Sequence, residues 1–381
     1  MQIGRKNNVV NHNLNIYDEY LFNLCECSVG ANEASDIKLK HLTYNLVKSL
    51  VEAGAYVDAL NRFDRSPLLY AIINNNPVMV EVLLSFGANP NIETNYKSYK
   101  EEGGESLLHI ASLFNQVESV KLLLQYGAEI NAKNNKLNTP LHYACACSTS
   151  NEVVKLLIER GAEVNSLNEE GTTPIFNAVT QKNFDAINIL LENNADINIV
   201  SEKVGMTPLI AAITKAGRHH IDLINFLIDK GADVNIRINK YHPPNQIELL
   251  HGATPLHIAC KNLRYIDGNL NHYEEVIKTL IKRGAEINTV DFDGNTPLNV
   301  MYLDDRNYID MVGYMLMKGA NPTIENNDGV SPLSKAKAKT YNCYNTVKLM
   351  KKYSKPKTTR KKAKEDNHVD KNSIIHDNEG K

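Results

Sequence analysis

Two short motifs recur along this chain with a period near 33 residues. No other feature restricts the fold as much. The first is Ser/Thr-Pro-Leu followed by a small residue. It stands at Ser66-Pro67-Leu68, Thr139-Pro140-Leu141-His142-Tyr143-Ala144, Thr173-Pro174-Ile175, Thr207-Pro208-Leu209, Thr254-Pro255-Leu256-His257-Ile258-Ala259, Thr296-Pro297-Leu298 and Ser331-Pro332-Leu333. Ser106-Leu107-Leu108-His109-Ile110-Ala111 is a variant without Pro. The second motif is Gly-Ala, mostly continued as x-x-Asn, at Gly87, Gly127, Gly161, Gly231, Gly284 and Gly319, with near-matches at Gly54 and Asn194. From Ser106 the first motif advances by 33, 34 and 34 residues to Thr207. A fixed period of this length means stacked units, none of which can bury its apolar face alone.

Each motif has a physical job. Thr or Ser caps a helix, its hydroxyl accepting from a free backbone N–H. Pro takes the first helical position, where its missing N–H costs nothing. Leu and Ala two and five residues on fall on one face. A second helix follows with clear periodicity: Val153, Val154, Leu156 and Leu157 form one stripe in residues 151–160. Gly then ends that helix in a left-handed conformation. Asn194 replaces Gly at one such end, and Asn tolerates that conformation best among residues with a side chain. Thr139, Pro140, His142, Gly161, Thr173, Thr207, Gly231, Thr254, His257, Gly284 and Thr296 are the structural signature.

Thr-Pro-Leu-His-x-Ala at this period resembles the ankyrin repeat. The resemblance covers roughly residues 40–350. It implies an all-α solenoid of helix-turn-helix units with short projecting β-hairpins. About nine units are expected over 15–353, after a flexible 1–14 and before a disordered basic tail at 354–381. The first unit, about 15–61, lacks the Thr-Pro cap and has an insert near 28–40, so it reads as an amino-terminal cap. The last, about 328–353, carries Lys335, Lys337 and Lys339, which predicts the polar outer face that a terminal unit needs. Insertions at 95–105 and 238–252 fall where the hairpins project. A third, at 262–273, separates the two helices of one unit.

Charge is unevenly spread. Residues 348–364 hold nine basic residues and no acidic one, which leaves 33 of the 42 basic residues to set against all 44 acidic ones elsewhere, a net of −11. The tail, Lys355 to Lys364, has no interleaved aromatics, which argues against specific single-strand recognition. It could meet nucleic acid or an anionic membrane by charge alone, serve as a nuclear-import signal, or be only a solvated tail. No run of eighteen apolar residues occurs, and the polar Met1–Val10 lacks the core of a signal peptide. The six Cys are few for a disulfide framework, and the chain reads as reduced and cytoplasmic.

Nothing catalytic stands out. There is no P-loop, Gly-x-Ser-x-Gly or His-Glu-x-x-His. His109, His142 and His257 hold the repeat's own His position, where a ring bonding cap and backbone groups is expected. Cys25-x-Cys27 and Cys145-x-Cys147 have the wrong spacing for zinc and suit core packing better. His219-His220 reads as part of a solvated turn. No metal, cofactor or enzymatic activity is expected. The resemblance implies binding of another protein by hairpin tips and a concave helix face, with the chain a monomer. Chains of this look occur in intracellular bacteria, giant viruses and protists, so a host protein is one candidate partner. The tip positions vary between units while the scaffold does not. They supply the candidate contacts Arg62, Phe63, Arg65, Tyr96, Tyr99, Lys136, Glu169, Glu170, Tyr241 and Phe292; Arg and aromatics anchor interfaces most often. The alternative reading is a nucleus-directed or nucleic-acid-associated adaptor acting through the tail.

Overall fold

A computed structural model of the chain describes residues 14–26, 37–94, 103–147, 150–201, 203, 205–214, 221–238, 252–263, 265–266, 269–270, 272–303, 308–339 and 343–354. The chain divides into two compact units, Met1–Val204 and Gly205–Lys381. The expected tail, apart from Ser354, and most of the expected flexible N-terminus lie outside the described residues, as do Cys27, Tyr96, Tyr99, His219, His220 and Tyr241.

Among the described residues the first unit holds five helix pairs. These are α1 (Ile16–Glu26) with α2 (Ile37–Glu52), α3 (Pro67–Ile73) with α4 (Pro77–Ser85), and α5 (Leu107–Leu113) with α6 (Val117–Gln125). They are followed by α7 (Pro140–Cys145) with α8 (Glu152–Glu159) and α9 (Pro174–Thr180) with α10 (Phe184–Glu192). The second unit holds α11 (Pro208–Thr214) with α12 (Ile221–Asp229), α13 (Pro255–Asn262) with α14 (Tyr273–Lys282), α15 (Pro297–Val300) with α16 (Ile309–Met317), and α17 (Pro332–Ala338) with α18 (Tyr344–Ser354). Each unit is a solenoid stack in which helices pack on the corresponding helices one repeat away.

The first helix of each pair is too short to persist alone, since isolated helices need roughly 12–15 residues. Burial supplies what length does not. In α5 six consecutive residues, Leu107 to Ser112, are buried. The second helices are amphipathic: in α8 Val153, Val154, Leu156 and Leu157 are buried while Lys155 and Glu159 are exposed. The predicted stripe is the observed one. Gly161 (φ 93) and Asn194 (φ 66) follow their helices in the left-handed region. A second left-handed site, unforeseen in the sequence, turns the chain between the two helices of a pair at Asn75, Asn115 and Lys182.

Extended pairing is sparse among the described residues. β1 (Glu93–Thr94) pairs antiparallel with β2 (Glu105–Ser106) across the first insertion, with Glu93 opposite Ser106. β3 (Tyr265–Ile266) pairs with β4 (Asn269–Leu270) inside the third insertion, so the segment between α13 and α14 is itself a small hairpin. Other described tips are tight turns, closed for example by Asn134 N–H to Asn138 O (3.1 Å) and Asn168 N–H to Thr172 O (3.0 Å).

In the first pair Ile16, Tyr17, Tyr20, Leu42 and Leu46 are exposed beside the polar Glu19, Asn23, Lys38, Asn45 and Lys48. In the last pair only Lys337 of the three expected lysines is exposed. Lys335 and Lys339 turn inward. Lys335 Nζ donates to Asn299 O (2.6 Å) and Lys339 Nζ to Leu303 O (3.1 Å). The reason is α15, which stops after one turn at Val300 and leaves carbonyls that a longer helix would have satisfied.

Candidate partner-binding surface

Three ladders join neighbouring repeats within each unit, and together they position the tips. The first uses the His of the capping motif. Thr139 N–H donates to His142 Nδ1 (3.1 Å), and His142 Nε2 meets Thr172 O of the following repeat (3.2 Å). His109 does the same with Ser106 and Asn138 O, and His257 with Thr254 and Asn295 O. A backbone N–H only donates and a carbonyl only accepts, so each ring carries its proton on Nε2. Burial, the largest influence, pushes His257 below its ordinary value, while its bond to Asn295 O pulls the other way. These three His thus bond cap and backbone groups of neighbouring units, as expected. The hydroxyls of these caps lie 2.8–2.9 Å from the imidazole. Where His is absent the hydroxyl can take a backbone bond, as Thr207 Oγ1 does from Ile210 N (3.2 Å). Thr173 is an exception: it holds the cap conformation, but its buried hydroxyl has no partner.

The second ladder uses the Asn of Gly-Ala-x-x-Asn, a residue whose recurrence was visible but whose work was not. Asn91 Nδ2 donates to Gly127 O (2.9 Å) and Asn91 Oδ1 accepts from Glu129 N (2.8 Å). Asn165 joins Asn194 O and Asp196 N in the same way, Asn235 joins Gly284 O and Glu286 N, and Asn288 joins Gly319 O and Asn321 N. The third ladder runs along the tips. Asn135 N–H donates to Gly103 O (3.1 Å), Glu169 N–H to Lys136 O (2.8 Å), Lys203 N–H to Glu170 O (3.3 Å) and Asn327 N–H to Asp293 O (2.9 Å).

On this frame stand the candidate contacts. Phe63 is 54% exposed, with the guanidinium carbons of Arg62 and Arg65 at 4.7 and 5.7 Å from its ring centre. Lys136 and Glu169 are brought together across adjacent tips: Lys136 Nζ lies 2.9 Å from Glu169 Oε2 and Lys203 Nζ 3.4 Å from Glu169 Oε1. Those bonds, Lys136 first, hold the Glu169 carboxyl below its ordinary value. Glu170 is exposed beside them. Phe292 is 50% exposed, yet a Cβ on Gly252 would lie 2.8 Å from its ring, so one edge packs on the preceding tip. Tyr302, just past the end of the short α15, is 55% exposed with Lys339 Nζ 4.0 Å from its ring centre, and went unnoticed in the sequence.

Comparison with known proteins agrees with this geometry. A family model described as ankyrin repeats in three copies matches residues 37–134, 97–168, 141–238 and 200–291, and a single ankyrin repeat model matches 293–327. The chain belongs to the ankyrin repeat family. Ankyrin repeats in general bind other proteins. The mouse B-cell lymphoma 3 protein homolog is 38% identical over 96 residues, which is 25% of this chain and 20% of that protein. The Dictyostelium discoideum NAD-dependent deacetylase sir2B is 23% identical over 286 residues, 74% of this chain and 28% of that one. The matches thus span about a fifth of the first relative's length and just over a quarter of the second's. The crystal structure of the Bcl-3 ankyrin repeat domain, from the IkappaB protein family, superposes with a TM-score of 0.51 at 24% identity, over 63% of this chain and 95% of that one. That likeness concerns the fold.

The ankyrin surface offers shallow clefts. One of about 210 Å³ lies between Lys136, Asn168, Glu169 and Asn177, and one of about 320 Å³ lies between α2 and α4. Small-molecule sites run from about 300 to 1,000 Å³ and enclose most of their ligand. Cys145 and Cys260 are fully buried, and burial pushes both thiols up, away from the reactive thiolate. Among the described residues no three His, Cys, Asp or Glu side chains gather as a metal site would require. No described helix is long and apolar enough to cross a membrane.

Proposed function

We propose that this ankyrin chain is a non-catalytic scaffold that holds a partner protein through its hairpin tips and inner-helix face. The observation that carries the reading is the tip at residues 62–65. Asn61 Oδ1 accepts from Phe63 N and Arg65 N and so fixes the turn, while the Phe63 ring stands in solvent between two arginines. An exposed aromatic held rigidly costs little entropy to bury, which is what an interface anchor requires. Two arginines beside it favour a partner carrying carboxylates at that point. Phe292 supplies an equivalent in the second unit, and a host-cell protein is one candidate partner.

The test is affinity capture from source and host lysates with wild type and a Phe63→Ala/Phe292→Ala chain. A specific protein captured by wild type and lost by the double variant is the expected result. Equal capture by both would move the site off the tips. A chain lacking residues 355–381 tests the adaptor alternative, which requires capture or nuclear entry to disappear with the tail.

A further inference from the structure

The cleft of about 210 Å³ in the first unit lies where two neighbouring tips meet the first helix of a pair. Its lining is Lys136 and Asn138 from one tip, Asn168, Glu169, Glu170 and Thr172 from the next, and Asn177 from α9. Most of these groups are already engaged. Asn168 Oδ1 accepts from Glu170 N (3.0 Å), Thr172 N (2.9 Å) and Thr172 Oγ1 (3.0 Å), and Asn168 Nδ2 donates to Asn138 Oδ1 (2.9 Å). The Lys136 ammonium sits on Glu169. Asn177 Nδ2 donates to His142 O (2.8 Å). Two acceptors stay open: among the described residues neither the Glu170 carboxylate nor Asn177 Oδ1 receives a hydrogen bond. Lys136 and Glu169 cancel within the lining, which leaves Glu170 as its unbalanced charge; Lys203 bonds Glu169 from outside the lining. The open groups are also held in place. Glu170 donates its N–H to Asn168, and its carbonyl accepts from Ser201 Oγ (2.6 Å) and Lys203 N (3.3 Å).

We propose that this cleft is the subsite for an arginine side chain of the partner, the guanidinium taking the Glu170 carboxylate and Asn177 Oδ1. The inference rests on the reading of the tips and inner helices as the binding face, and it names what one part of that face recognises. A guanidinium only donates, and it donates in a fixed fork, so two N–H groups can serve the carboxylate while another serves the amide oxygen. An ammonium lacks the fork, and an anion would meet Glu170 and a second bare acceptor. A divalent cation needs six or so oxygens, whereas Glu169 is already taken by ammonium groups and no three His, Cys, Asp or Glu side chains gather among the described residues. The cleft is smaller than the roughly 300 Å³ at which small-molecule sites begin, which suits one side chain projecting from a docked protein better than a free ligand. With the Glu170 backbone tied on both sides, little has to be ordered on binding. The Arg62/Arg65 tip and this cleft then ask for opposite charges at separate places on one partner, which fixes its direction along the first unit.

The experiment is selection from a displayed library of random peptides on the immobilised full chain, run in parallel on Glu170→Gln and on Phe63→Ala/Phe292→Ala. Peptides of the selected sequence are then synthesised with their arginine intact or replaced by lysine or citrulline, and binding is read by fluorescence polarisation. Glu170 is exposed and its backbone bonds survive the substitution, so Glu170→Gln is expected to melt like wild type. Wild type is expected to enrich peptides with one fixed arginine. Replacing that arginine by lysine or citrulline should weaken binding to wild type by about tenfold or more and binding to Glu170→Gln hardly at all. Arginine dependence that persists in Phe63→Ala/Phe292→Ala supports the subsite whether or not the aromatic tips are anchors. Peptides lost with Phe63 and Phe292 but indifferent to arginine would overturn the subsite and leave the tip reading standing. Equal arginine preference on wild type and Glu170→Gln, or no peptide enriched by wild type, would also overturn it.

Discussion

The first and last helix pairs are both helix-turn-helix units, yet they expose different residues. α2 buries one residue fully, Val47, and leaves Leu42 and Leu46 in solvent. α18 buries Thr346 and Met350 and exposes Tyr344, Asn345, Lys348, Lys351, Lys352 and Ser354. Both pairs have an apolar interior side; they differ in what the other side carries. A repeat sequence thus states how a pair stacks on one neighbour and is silent about whether it has a second.

Truncation at the two ends should separate them most. Met350→Ala removes a fully buried side chain and is expected to cost about 3 kcal/mol, whereas Leu46→Ala should leave the melting of the monomer nearly unchanged. Denaturant melts of the two variants check this, and similar losses would erase the contrast. Next comes Lys335→Met. It withdraws the ammonium from Asn299 O and Met301 O and is expected to cost about 2 kcal/mol, with faster hydrogen exchange around α15. Burial, and then Lys339 beside it, already hold Lys335 below the ordinary lysine value, as befits an inward rather than solvated lysine. A Lys337→Met variant serves as the exposed control.

Thr139→Ala, in the middle of the first unit, removes a cap hydroxyl and should cost about 1 kcal/mol, seen as faster exchange in α7. The smallest effect concerns acid. His257 is held below its usual 6.5 in the folded chain, so on acidification the unfolded chain takes up its proton first. The stability contributed by neutral His257 is complete above 6.5 and is lost as pH falls from there toward the folded value. The last pair is capped by Ser331 and Ser334, which do not titrate. Between pH 7 and pH 6 exchange should therefore rise in α13 and not in α17, and the difference should vanish in His257→Gln.

Most of the scaffold could be read from the residues, because each signal acts locally. A cap at Ser66, a Pro at 67 and a left-handed Gly161 need only their immediate neighbours to do their work. The left-handed turns at Asn75, Asn115 and Lys182 escaped notice because their residue types vary from repeat to repeat. The candidate surface was less legible. Lys136 and Glu169 looked like two independent tip charges, yet they neutralise one another together with Lys203, from residues 33 and 34 positions apart. Phe292 looked free and is half seated on Gly252.

The sequence by itself determined that this chain is an array: the period, the caps, the helix ends and the buried stripes follow from single-residue conformational preferences repeated at a fixed spacing. Only the tertiary structure decided which side chains remain available. Whether Lys335 faces water or the carbonyls of α15, whether Glu169 is spent on its neighbours, and whether Tyr20 and Leu42 are covered all depend on groups a repeat or more away. In a stacked fold exposure belongs to the interface between repeats, and a pattern confined to one repeat does not contain it.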